Sequence, residues 1–154
     1  MPLLTIRLLG EFSAIDHRGN ALSVGNKRTQ ALIAFLALRL DRHSTLQEMS
    51  ELLFGSPASA SVRGAIADLR YAFRYLPQDV LIDDGDVVRL NPDEVVVDVQ
   101  QFAELISAPS INTIRAATDI YRGNLLENFI TGVPSMDEWI AAKRQNYWRG
   151  AVAI

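Results

Sequence analysis

Residues 56–90 read SPASASVRGAIADLRYAFRYLPQDVLIDDGDVVRL, a helix followed by a hairpin. Ser56 is placed to cap the helix, Pro57 sits at its favoured first position, and Pro77 closes the segment. At 100° per residue, Ile66, Leu69, Phe73 and Leu76 fall within about 40° of Val62, which predicts one buried stripe. Ala60, Gly64, Ala67 and Tyr71 then form the outward face. Beyond Pro77, the pair Asp84-Gly85 separates two β-branched runs, a strong short-range signal for a two-residue hairpin turn. A further extended run, Glu94 to Val97, follows.

Two helices precede this unit. TQALIAFLALRL, from Thr29, is apolar on nearly every side and predicts a helix in the middle of a fold, ended by Asp41, Arg42 and His43. Thr45 with Glu48 is a capping box opening LQEMSELLF, whose Leu46, Met49, Leu52 and Leu53 recur at helical spacing before Gly55 stops it. The first twenty residues read as strands: Leu4, Ile6 and Leu8 alternate with Thr5 and Arg7, Phe12 and Ile15 follow, and Arg18-Gly19-Asn20 turns the chain before Ala21 to Val24. A short antiparallel sheet is expected there.

After the hairpin the pattern is helical. Asp98 with Gln101 is box-like and leads into Phe102, Leu105 and Ile106; a second helix spans about Ile111 to Tyr121 after Pro109 and Ser110. A third opens at Pro134, with Ser135 and Glu138 as its box, and runs through Trp139, Ile140, Tyr147 and Trp148, still helical at Ile154. The expected class is α+β, with residues 1–97 as one domain and residues 98–154 as the first part of a helical one. From a helix with no stop signal at its end, the chain is expected to be the front of something longer.

The 154 residues are 49% hydrophobic and contain no cysteine, which excludes thiol catalysis and cysteine-ligated zinc. The longest apolar stretch, Ala31 to Leu38, is far short of the roughly 20 residues of a membrane span. Met1 to Gly10 lacks a cationic start and a cleavage site, so a cytoplasmic, non-membrane protein is expected. His17 and His43 fall at turns, where surface loop positions are expected, and no base partner stands at useful spacing. Neither a phosphate-binding glycine loop nor a nucleophile motif is present. No catalytic activity and no cofactor is expected.

Three helices and a hairpin behind a strand region resemble the winged helix-turn-helix of response-regulator effectors. NKRTQALIAFL at 26–36 and LRYAF at 69–73, where family members carry Leu-Arg-Arg-Ala-Leu, are similar to the SARP-type transcriptional regulators. YRGNLLENF at 121–129 and MDEWIAAKRQNYWRGA at 136–151 resemble the bacterial transcriptional activator domain that follows the winged helix in that family. The resemblance implies a third helix in the DNA major groove and a hairpin wing at the minor groove. It also implies a tetratricopeptide-like helical domain that contacts a protein partner or a second copy, here cut off after its first helices.

The charge pattern bears on that implication. The net charge of −3 argues mildly against nucleic acid, but it is an average. Residues 1–76 carry nine basic and six acidic side chains, a balance of +3; residues 77–97 stand at −5 and residues 98–154 at −1. Arg63, Arg70 and Arg74 lie at about 100°, 80° and 120° from the core direction, a basic flank suited to phosphates or to solvent. Lys27 and Arg28, which match the family's basic pair, and Arg39 and Arg42 are further phosphate candidates. Ala67 at the centre of the outward face gives no hydrogen bond to a base edge, and Asp68 stands where the family has arginine. The candidate DNA-contacting set is Lys27, Arg28, Arg63, Ala67, Asp68, Arg70, Tyr71, Arg74 and Arg89, the last being the one base of the hairpin region. Double-stranded DNA is the first expected partner. Asp68 and the acidic tip Asp83-Asp84-Gly85-Asp86 favour the other reading, a degenerate winged helix serving protein interaction or dimerisation in a larger signalling protein.

Overall fold

A computed structural model describes residues 2–39, 44–55 and 60–153, with backbone alone at 60, 61 and 147–153. Ser56, Pro57, Asp41, Arg42, His43 and Ile154 therefore lie outside the described residues, as do the side chains of Tyr147 and Trp148.

The first strand, β1 (Leu4–Arg7), pairs antiparallel with β2 (Ser13–Asp16), Leu4 opposite Asp16 and Arg7 opposite Ser13. Its other edge takes β6 (Val95–Val97) in parallel, Leu4 opposite Val95. The sheet thus departs from the expected antiparallel meander. Its third strand comes from beyond the hairpin, and Ala21 keeps only a single bridge to Ile15. Val95 and Val97 are buried, and a parallel partner is open to them because the whole run between β2 and β6 serves as the long crossover that such pairing needs.

The second sheet has the order β3-β5-β4, from β3 (Ser44–Thr45), β4 (Leu81–Asp83) and β5 (Val87–Leu90). The hairpin forms as expected, but its turn sits one residue later. Asp83 pairs with Val88 and the Asp84 amide donates to the Val87 carbonyl at 2.9 Å, leaving Gly85 and Asp86 as the loop. Glycine at the first central position, with φ +90°, is what a type II′ turn requires.

Helix α1 (Lys27–Leu38) is capped by Asn26, whose Oδ1 accepts the Thr29 amide at 3.0 Å, and is buried without a break from Ala31 to Ala37. Thr45 caps α2 (Leu46–Phe54) through the Glu48 amide at 3.1 Å. Only half of the expected box forms, because the Glu48 carboxylate pairs with Arg39 instead of returning to the cap. Gly55 ends α2 with φ +66°, the left-handed conformation that glycine adopts without a Cβ clash. α3 (Ala60–Ala72) buries Val62, Ala65, Ile66 and Leu69, with Phe73 just past its end, against α1 and α2.

The helices α4 (Asp98–Ser107) and α5 (Ile111–Ile120) pack as a pair, α5 opened by a reciprocal box between Ser110 and Thr113. The last, α6 (Pro134–Ala153), lies on α2, and Trp139 meets Phe35 edge-on at 5.2 Å between ring centroids. Two expected caps are absent. Asp98 is the first residue of α4 and sends its carboxylate to the Leu8 and Leu9 amides at 2.8 and 3.0 Å; Ser135 donates to the Leu52 carbonyl at 2.7 Å. Both side chains find a distant backbone partner, and Pro134 takes the first position of α6. His17 is half-buried in its turn rather than on the open surface. Buried side chains from both stretches of the chain share one apolar cluster. No described helix is long and apolar enough to cross a membrane.

Candidate nucleic-acid interface

The buried stripe of α3 fixes which side chains point away from the core. Arg63, Gly64, Ala67, Asp68, Arg70, Tyr71 and Arg74 are all exposed. Tyr71 is 67% and Tyr75 84% exposed, large values for aromatic rings. Among the described residues a Cβ on Gly64 would meet nothing within 4 Å, so none of them requires glycine there.

The arginines of the flank are not equivalent. Arg70 Nη2 donates to Asp83 Oδ2 at 2.9 Å, joining α3 to the end of β4. The other oxygen of that carboxylate accepts the Gly85 amide at 2.9 Å, so the hairpin turn orients it. Arg74 donates to the Tyr71 carbonyl at 2.6 Å, and its guanidinium lies 3.7 Å from the Tyr71 ring centroid and 4.4 Å from that of Tyr75. The helix expected to run on to Leu76 stops at Ala72, so Arg74 sits in the turn past α3, where a hydrogen bond and two cation–π contacts gather it onto Tyr71 and Tyr75.

The remaining candidates take other places. Lys27 Nζ stands 4.5 Å over the Phe129 ring, and the Arg28 guanidinium 5.6 Å from Phe54, so both cations rest on aromatic faces while staying exposed. Arg89 is half-buried on β5 opposite Ile82. The fold therefore brings α3 and the hairpin together. One participant, Tyr75, and one pairing, that of Asp83 in the acidic tip with Arg70, were not read from the sequence. Tyr75, four residues after Tyr71, could have been found from helical spacing; the role of Asp83 toward Arg70 carries no local signal. Among the described residues no group of three or more His, Cys, Asp and Glu could hold a metal ion.

A mixed sheet-and-helix core with α3 laid open beside a hairpin defines an α+β fold. The solved structure of Mycobacterium tuberculosis EmbR, in complex with a low-affinity phosphopeptide, superposes on 97% of this chain with a TM-score of 0.75 at 20% sequence identity. The match covers 44% of the EmbR chain, so this chain spans less than half of EmbR's length. No family model matches the sequence, and no curated protein does.

Proposed function

We propose that this chain is the winged-helix end of a SARP-type transcriptional regulator, with α2–α3 as the helix-turn-helix, the β4–β5 hairpin as the wing, and α3 as the element laid against duplex DNA. The observation that carries the reading is the exposed flank of Arg63 and Arg70 on α3, continued by Arg74 in the turn just past its end, opposite a buried stripe and in a fold shared with EmbR. Arginines in a row along one helix engage successive phosphates, which supply most sequence-independent affinity. Lys27 and Arg28 add backbone contacts, and Gly64 and Ala67 let the helix approach the groove closely. No catalytic step and no cofactor enters this reading. The helices α4 to α6 serve a protein partner or a second copy.

Titration of a fluorescent mixed-sequence duplex at about 50 mM salt, where phosphate contacts are strongest, tests the proposal. Binding that weakens on Arg63→Ala and falls steeply with salt supports it; absence of binding by wild type and by variants with a neutralised hairpin aspartate alike refutes it.

A second reading, a protein-interaction module on a winged-helix scaffold, is favoured by one arrangement. Exposed Asp68 and the hairpin region, with its balance of −5, set negative charge beside α3. In that case the duplex does not bind, and the same α3 surface is the docking face.

A further inference from the structure

Asp83 divides its two carboxylate oxygens between the hairpin and the helix. Oδ1 accepts from the Gly85 amide and Oδ2 from Arg70 Nη2, both at 2.9 Å. The turn therefore holds the carboxylate in place before Arg70 arrives. A guanidinium fork fits a carboxylate and a phosphate equally well, and a nitrogen donating to one is withdrawn from the other. The pair lies at the surface, with side chains 47% and 26% exposed, so it is weak and exchangeable. Arg74 is no ready substitute, since the Tyr71 carbonyl and two rings already hold it.

We propose that Asp83 is a built-in competitor for the DNA phosphate. The carboxylate of the hairpin occupies Arg70 and holds down the affinity of α3 for duplex DNA until a phosphate displaces it. Any partner that draws the hairpin away, or any change that neutralises Asp83, releases Arg70 for the duplex. This inference rests on the DNA-binding reading above and adds a restraint to it.

The test compares wild type, Asp83→Asn, Arg70→Ala, the double variant and Asp86→Asn in fluorescence anisotropy with a mixed-sequence duplex. Asparagine keeps an oxygen for the Gly85 amide, and Asp86→Asn removes the same charge from the hairpin tip. The expected result is a five- to tenfold gain for Asp83→Asn at about 50 mM salt, and about twofold or less for Asp86→Asn. Arg70→Ala erases the gain, because without the guanidinium there is nothing to release. Equal gains for Asp83→Asn and Asp86→Asn, or a gain that survives in the double variant, reduce the effect to general electrostatics and overturn the proposal. Weaker binding by a folded Asp83→Asn overturns it too. If wild type is silent and Asp83→Asn binds, the restraint is supported; if every variant is silent, the DNA-binding reading itself falls and the restraint with it. Should Asp83→Asn fail to fold, Asp83→Ser, which also offers Gly85 an oxygen, carries the same comparison.

Discussion

The Asp98 carboxylate accepts the amide of Leu8 at 2.8 Å across a separation of 90 residues, and takes the Leu9 amide with its second oxygen. Leu8 and Leu9 continue past the end of β1, where the β6 ladder has run out and α4 has begun. One side chain thereby completes the sheet at the point where the helical segment joins it.

Asp98→Ala should cost about 2–4 kcal/mol, because it leaves two buried N–H groups without acceptors. Asp98→Asn, which retains one oxygen, should recover part of the loss. Urea unfolding followed by circular dichroism measures both.

The pH dependence should carry opposite signs at two aspartates. Burial pushes the Asp98 carboxyl above the ordinary 3.8, against the Leu8, Leu9 and Val99 amides and the Arg122 charge. Its contribution is therefore fully present below the unfolded value and is lost as pH rises through the folded one. Asp137 is also pushed up by partial burial, but the Thr131 amide and hydroxyl, the Gly132 amide and the Arg144 charge prevail and hold it below 3.8. Its contribution is present above the unfolded value and is lost as pH falls through the folded one. Unfolding free energies between about pH 3 and pH 6 should fall less steeply on acidification in Asp137→Asn than in wild type, and more steeply in Asp98→Asn.

Arg144 gathers three carbonyls of the segment before α6. Its Nε donates to Leu125 O at 2.7 Å, and Nη2 donates to Leu126 O and, at 3.2 Å, to Phe129 O. In that segment Leu126 and Asn128 have φ of +50° and +59°, a conformation side chains seldom adopt, so the clamp holds a bend that resists forming. Arg144→Ala should destabilise the protein by about 2 kcal/mol, and Arg144→Lys should not restore it, since one ammonium cannot span the fork. Hydrogen exchange at the Leu126 and Glu127 amides, which bond to the Leu8 and Gly10 carbonyls, should accelerate in both variants.

Asp68 is exposed on α3 among the arginines. Asp68→Arg should tighten duplex binding about tenfold near 50 mM salt, with the gain shrinking as salt rises. Anisotropy titrations at two salt concentrations check the affinity and its slope together.

The helices were legible because side-chain direction follows from a fixed period. Val62, Ile66, Leu69 and Phe73 are the buried side of α3, and the three arginines lie exposed beside them, as the spacing predicts. Where reading by motif went astray, the residue types were right and the partners wrong. Asp98 and Ser135 stand three residues before Gln101 and Glu138, yet each turns to a carbonyl or amide more than 80 residues away. At the hairpin, Asp-Gly marks a turn, but the pairing of Asp83 with Val88 and of Asp84 with Val87 puts the loop at Gly85-Asp86.

By itself, the sequence determined the helical segments, the hairpin and the basic flank of α3, all set by contacts within a few residues. The parallel seat of β6 beside β1 was decided only by the tertiary structure, as were the junction at Asp98 and the capture of Arg70 by Asp83. A buried amide accepts whichever acceptor the packed chain delivers, and an exposed guanidinium pairs with whichever anion is nearest. Both outcomes depend on where folding places distant segments, which no local pattern encodes.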